Sequence, residues 1–437
     1  MHAMLSRLFS QVLSSPTLRS ARRNIEAARR RLRGQRPQVF YFHQVDDPYS
    51  HLTAQVLPAL LERYEVEIVP HLVPPPSHAA APEGEKLGAY SFKDARLLAA
   101  VHGLSFAGTR APDPDRVAAV ADHLADLKSP QAFAAAAVEL GTSLWSGAGI
   151  LPAPGDGAAA IAQGGALREK LGHYLGATFY FEGEWYWGLD RLPYLETRLA
   201  ASRVNARGPV IGQLEASDAV LPGRGASIDY FLSFRSPYTY LAAERIQALA
   251  KRRGATVRLR FVLPMVMRGL PVSKAKRLYI MRDAKREAER LGIPFGRVVD
   301  PVGAGVERGY AVLHHAIANG RGPEFVESLF RGVFAEGVDV AEDEGLLKVA
   351  ERVGISATQV HAALADPSWR AVAEENRTSL LDLGLWGVPS FHIEGCEPHW
   401  GQDRLWAVER DLASQTSASC FSREKAASDE EKTQQYY

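Results

Sequence analysis

The sequence predicts an α/β chain made of two copies of one strand–helix–strand unit, each carrying a helical insertion. Three observations predict it. First, Ile228–Leu241 reads IDYFLSFRSPYTYL: an apolar run, a turn at Arg235-Ser236-Pro237, then a helical pattern. Ser at the N-cap and Pro at the first helical position form a helix-start signal. Second, Gln38–Leu61 (QVFYFHQVDDPYSHLTAQVLPALL) has the same layout at a constant offset of 189. Tyr41-Phe42 matches Tyr230-Phe231, Asp47-Pro48-Tyr49 matches Ser236-Pro237-Tyr238, and Leu52 matches Leu241. The offset holds through Tyr90/Tyr279, Asp94/Asp283, Gly103/Gly292 and Phe106/Phe295. Third, the units end alike: LGHYLGATFYFEG from Leu171 matches LGLWGVPSFHIEG from Leu383, and WGLDRL at Trp187 matches WGQDRL at Trp400. So long a period implies two domains rather than a solenoid.

Residues 1–36 read as one exposed amphipathic helix, with Leu5, Leu8, Phe9, Val12 and Leu13 on one face. The arginines Arg29, Arg30, Arg31 and Arg33 follow. Such a segment either attaches to an anionic surface or is a solvated arm packed on the protein. Residues 37–200 form the first unit. Ala201–Ser227 is rich in Gly, Ala, Ser and Pro, so 201–226 reads as a linker. Gly147–Gly165 has a similar low-complexity composition, at a place where the second unit has two more helices.

In the second unit, 227–413, the second strand is expected at Thr256–Leu263. Helical patterns cover Lys274–Leu291, Ala311–Ala318, Glu324–Phe334, Glu342–Val353 and Trp369–Leu383. Closing strands near Ser390–Glu394 and Glu397–Trp400 precede a helix over Gln402–Leu412. The opening implies a parallel strand pair with a right-handed crossover, and the close implies a hairpin. Ser414–Tyr437 is polar and charged and reads as a disordered tail.

The formal net charge of +1 is unevenly spread: residues 1–36 hold nine Arg and one Glu, a net +8, leaving −7 elsewhere. The two cysteines, Cys396 and Cys420, form neither a disulfide framework nor a CxxC, which points to a reducing, cytoplasmic setting. No apolar run reaches membrane-span length, and the N-terminus lacks a secretory h-region while resembling a transit peptide in composition. His392, Cys396 and His399 lack a fourth ligand, so no metal is expected. Adjacent His314-His315 face apart on a helix, GAGVERG at Gly303 is a poor dinucleotide loop, and no Walker A sequence is present. Nucleic-acid binding would rest on the N-terminal arginines alone.

Ser236 is either simply a well-made cap or a hydroxyl held over the positive end of a helix, where an anion is favoured. Val388-Pro389, before the Ser390 strand, is equally readable as an ordinary strand entry, and Asp403 as an acid complementing a helix N-terminus.

Taken together, FRSPYTYLA (Phe234–Ala242), GVPSF (Gly387–Phe391) and WGQDRL (Trp400–Leu405) resemble the DsbA-like branch of the thioredoxin superfamily. Within it the second unit looks most like 2-hydroxychromene-2-carboxylate isomerases and kappa-class glutathione transferases. The resemblance covers about 185 residues closely and the first unit loosely. It implies two tandem DsbA-like thioredoxin folds. Where redox relatives have CxxC, this chain has Ser236-Pro237-Tyr238-Thr239, so this turn cannot form a mixed disulfide.

The resemblance implies that glutathione supplies the sulfur and that Ser236 stabilises its thiolate. A helix terminus contributes roughly 0.3–2 kcal/mol and a charge-assisted hydrogen bond about 1.5–3 kcal/mol. At about 1.4 kcal/mol per pKa unit, a drop of one to two units from about 8.5 follows. It further implies a cis peptide at Val388-Pro389, with Val388 offering its backbone to glutathione, and Gln402 and Asp403 at the γ-glutamyl end. Arg268 and Tyr238 are substrate candidates, for a small conjugated or aromatic acid. The family's Lys- and Asn-containing loop is replaced here by Met265–Leu270. The first unit has Asp47 in place of Ser236 and Ala177 in place of Pro389, and reads as a degenerate copy. Family members are commonly homodimers, which the two units of one chain would mimic. The rival readings are a non-catalytic binding or adaptor protein and, disfavoured by the missing CxxC, a disulfide oxidoreductase.

Overall fold

Aromatic and β-branched residues run through Gln38–His43 and Ser227–Leu232, and both runs are central strands. The computed structural model describes residues 2–149, 155–205, 207–217, 219 and 225–414. The chain divides into two units, one of Ser15–Gln213 with Leu270–Ile280, the other of Met1–Ser14, Leu214–Gly269 and Met281–Tyr437.

The first begins, after α1 (His2–Leu13) of the other unit, with α2 (Pro16–Leu32). Then come β1 (Gln38–His43), α3 (Pro48–Arg63), β2 (Glu67–Leu72), α4 (Gly84–His102), α5 (Pro114–Ala125), α6 (Pro130–Ser146) and α7 (Gly157–Leu171). It closes with β3 (Thr178–Phe181), β4 (Glu184–Trp187) and α8 (Gly188–Leu199). The second runs β5 (Ser227–Leu232), α9 (Pro237–Arg253), β6 (Thr256–Phe261), α10 (Lys274–Leu291), α11 (Ala304–Ala318), α12 (Gly322–Arg331), α13 (Asp343–Glu351), α14 (Ala357–Ala365) and α15 (Trp369–Asp382). It ends in β7 (Ser390–Ile393), β8 (His399–Trp400) and a helix over 405–414.

Each unit contains a four-stranded sheet, ordered β2-β1-β3-β4 in one and β6-β5-β7-β8 in the other. The first two strands in sequence pair in parallel and the closing hairpin is antiparallel, in both sheets. This is the mixed α/β architecture of a thioredoxin fold.

Equivalent hydrogen bonds recur in the two units. The Tyr41 hydroxyl donates to the Ser50 carbonyl at 3.0 Å, and Tyr230 to the Thr239 carbonyl at 2.7 Å. Tyr49 donates to Asp94 at 2.9 Å, and Tyr238 to Asp283 at 2.7 Å. Across the second sheet, Tyr230 stacks on its register partner Phe391 with ring centroids 5.4 Å apart.

Several elements differ from expectation. The N-terminal segment is two helices, because Ser15 caps and Pro16 starts a new one. The low-complexity stretch contains the start of α7, capped by Asp156. Its small residues are packing residues: a Cβ on Gly164 would lie 2.0 Å from the Leu72 carbonyl. Composition alone cannot separate such close helix–sheet contact from a linker. The segment between the units is pinned within each: Glu196 accepts from the amides of Val210 and Ile211, and Glu409 from that of Ser217. Helix α14 has no counterpart among the expected elements, and residues 402–404 form a tight turn before the last helix. Of the expected tail, 415–437 lie outside the described residues. Among the described residues, no helix is long and apolar enough to cross a membrane.

Phe391→Ala removes a fully buried ring of β7 that stacks on Tyr230 of β5. The second unit should lose roughly 3–5 kcal/mol, read as a lower denaturant midpoint for that unit's transition.

Candidate functional site

Residue Ser236 caps α9, its hydroxyl oxygen accepting from the Thr239 amide at 3.2 Å. The same hydroxyl donates to the Val388 carbonyl at 3.3 Å. One side chain thus ties the β5–α9 turn to the residue before β7. The Val388-Pro389 peptide is cis. Ser236 and Val388 are partly buried, Pro389 fully. The neighbouring charge is neutralised, since Arg235 makes a forked contact with Asp300 at 2.8–3.1 Å.

The turn Met265–Arg268 brings Arg268 to the same edge. Its guanidinium donates to the Trp386 carbonyl at 3.3 Å, two residues before Val388. Trp386 packs on Trp400 with centroids 4.7 Å apart, and Gly387 lies so close to the Trp400 indole that a Cβ there would come within 2.7 Å. The approach to Val388 is therefore flanked by two indoles and a cation.

Gln402 and Asp403 occupy the turn after β8. Gln402 is buried, its amide oxygen accepting from Arg245 of α9 at 2.5 Å and its amide nitrogen donating to Glu287 at 3.1 Å and to Asp403. The Gln402 side chain is thus engaged inside the protein, while the partly buried Asp403 carboxylate sits beside it. The hydroxyl of Tyr238 is held by Asp283, as that of Tyr49 is by Asp94, so in both units this tyrosine braces the first helix.

Two features escaped the sequence reading. Thr239, three residues after Ser236, buries a hydroxyl with no hydrogen-bond partner among the described residues. Its place in the SPYT turn, where CxxC has its second sulfur, is the signal that could have flagged it. The other is the Arg245–Gln402–Glu287 network with Arg290, which joins residues from two helices and a turn that no local pattern links. His399 sits 2.7 Å from Asp411, and among the described residues no three His, Cys, Asp or Glu side chains come together as a metal site.

The equivalent corner of the first unit is closed. Asp47 caps α3, accepting from the amides of Tyr49 and Ser50 and from the Ser50 hydroxyl at 2.8–3.3 Å. Ser50 Oγ also accepts from the amides of Gln44 and Ala177 at 3.1 and 2.8 Å. A Cβ on Gly176 would lie 2.6 Å from that of Gln44 and 3.0 Å from Ser50 Oγ. Ala177 itself adopts φ +51°, a strained conformation for a residue with a Cβ. Burial pushes the Asp47 carboxyl up to about 6, against the hydrogen bonds from Ser50 and Tyr49 that favour its charged form. Burial pulls His43 and His173 down to about 3 and His51 to about 4.

These shifts set the pH response of the first unit. Each histidine stays neutral when folded but protonates when unfolded below its usual value of about 6.5, so stability falls as pH drops from there towards 4. Asp47 acts oppositely: its raised value adds stability as pH falls from about 6 towards its unfolded value of about 3.9. With His71 also pulled down by burial, four losses against one gain leave a net decline of roughly 3 kcal/mol or more per pH unit between about 6 and 4. Thermal melts across that range should show it, and Asp47→Asn should steepen it; a flat profile would show that these groups are not buried.

The DSBA-like thioredoxin domain family matches residues 227–413. The chain is similar to a 2-hydroxychromene-2-carboxylate isomerase of Pseudomonas putida, 25% identical over 190 residues, 42% of this chain and 92% of the relative. Among solved structures it is similar to a 2-hydroxychromene-2-carboxylate isomerase, at 24% identity and TM-score 0.39, covering 44% of this chain and 98% of that one. It is also similar to the cytosolic disulfide reductase DsbM of Pseudomonas aeruginosa with GSH, at 20% identity and TM-score 0.34, covering 44% and 98%.

Proposed function

Starting from residues 227–413 as a DsbA-like thioredoxin domain, we propose that it is a glutathione-dependent isomerase or transferase of the 2-hydroxychromene-2-carboxylate isomerase type. The observation that carries the reading is the Ser236 hydroxyl, at a helix N-terminus and 3.3 Å from the Val388 carbonyl, in a turn without sulfur. The isomerase names of the similar proteins support it.

The residues present fit a thiol ligand. Ser236 has a proton to give once it turns from Val388, and the first α9 amides add positive potential. The only charge adjoining Ser236 in the turn, Arg235, is neutralised by Asp300. Val388, with the backbone of Pro389, would pair with the peptide part of glutathione as an added strand does. Asp403 would hold its ammonium group, and Gln402 would keep Asp403 in place. Glutathione bound there would supply a thiolate that adds to a conjugated double bond and leaves again after rotation or ring opening. Arg268, beside Trp386, would orient an acidic substrate through its carboxylate, while Tyr238 contributes its ring edge, its hydroxyl being committed to Asp283. The first unit is read as a copy without a site: Asp47 would repel a thiolate, and Gly176 leaves no room beside Ser50.

Calorimetry on the full chain should detect glutathione binding in the micromolar-to-millimolar range. Asp403→Ala should weaken it at least tenfold. Ser236→Ala should keep binding but raise the bound thiol's pKa by about one unit, cutting thiolate absorbance at neutral pH roughly three- to eightfold. Absence of binding up to millimolar glutathione would falsify the reading and favour a non-catalytic binding protein.

A further inference from the structure

Helix α1 is held by its polar side. Ser6 Oγ donates to the Val298 carbonyl at 3.1 Å, Ser10 Oγ accepts from the Val298 amide at 2.9 Å, and Ser14 Oγ donates to the Gly296 carbonyl at 3.3 Å. Arg7 donates to the Gly337 carbonyl at 2.6 Å. The opposite face carries Leu5, Leu8, Phe9 and Val12, which are 60%, 49%, 61% and 61% exposed. A helix placed only to stabilise a core would turn these inward.

Helix α2 has the same inversion within its own unit. Arg23 makes a forked contact with Glu184 at 2.7–3.0 Å and Arg30 meets Glu182 at 2.9 Å. Meanwhile Leu18, Ile25 and Leu32, spaced by seven, are 52%, 51% and 87% exposed. Arg22, Arg31 and Arg33 are exposed and make no ion pair among the described residues.

The geometry points to α1 and α2, each within its own unit, as peripheral anchor helices for an anionic lipid bilayer. An exposed apolar stripe on each helix, with unneutralised arginines on α2, is the composition of helices that lie in the headgroup region. The charge selects the occupant. A two-fold contact between copies would set each basic segment, +8 over residues 1–36, against its own equivalent. Anionic headgroups neutralise the same arginines.

The test is co-sedimentation of the full chain with vesicles of phosphatidylcholine containing about a third phosphatidylserine. The chain should bind these, bind pure phosphatidylcholine far less, and be released at high salt. Replacing Arg22, Arg31 and Arg33 by Gln should weaken binding about fivefold per charge, roughly a hundredfold together. Leu8→Asp with Phe9→Asp should abolish it with the unfolding temperature unchanged, because both side chains are already exposed. Absence of wild-type sedimentation, or variants that bind as the wild type does, would overturn the proposal. So would a wild-type dimer in light scattering that dissociates in the Leu8→Asp, Phe9→Asp variant without any vesicle binding.

Discussion

The second unit turns on one hydroxyl. Ser236 accepts from the first turn of α9 and donates to Val388, so the segment that opens the domain is tied to the one that closes it, about 150 residues later. The helix needs the acceptor because its first amides have no partner of their own. The donor half is uncommitted chemistry: a hydrogen bond to a backbone carbonyl that a better acceptor, above all an anion, could take over. Cap and candidate site are the same atom, which makes the two readings of the Ser-Pro turn compatible.

The first unit shows the other outcome of the same architecture. Its sheet order and its tyrosine braces match, yet an acid caps the helix and Ser50 stitches the corner shut. A carboxylate satisfies helix amides as well as a hydroxyl does but cannot donate, and its charge disfavours a bound thiolate. Burial raises Asp47 to about 6, so that corner is also where acid should be felt. Stability and ligand chemistry have separated: the fold tolerates Ser or Asp at the cap, and the proposed function tolerates only Ser.

Much of this was legible because the signals are local. Apolar strand runs, the Ser-Pro and Asp-Pro caps and the closing WGxDRL turns each occupy a few residues, and repetition at a fixed offset made them stronger. The long helices α10 and α15 were readable from periodicity. The glycine-rich start of α7 was not, because Gly164 is selected by the Leu72 carbonyl pressed against it, a contact absent from its neighbours in sequence. The inverted faces of α1 and α2 were half visible: periodicity identified the apolar side of α1 but not that serines and arginines would do the docking.

The sequence by itself determined the secondary structure around each cap, the parallel-then-antiparallel order of the strands, and the exclusion of protein-borne sulfur chemistry at Ser236-Pro237-Tyr238-Thr239. Those properties depend on backbone preference and residue type, which act over a turn or two. Only the tertiary structure decided that Gln402 is spent on Arg245 and Glu287, that Tyr238 braces Asp283, that Arg268 arrives beside Trp386, and that Gly176 fills the first corner. Each of these joins residues tens to more than a hundred positions apart, and which donor meets which acceptor is set by packing.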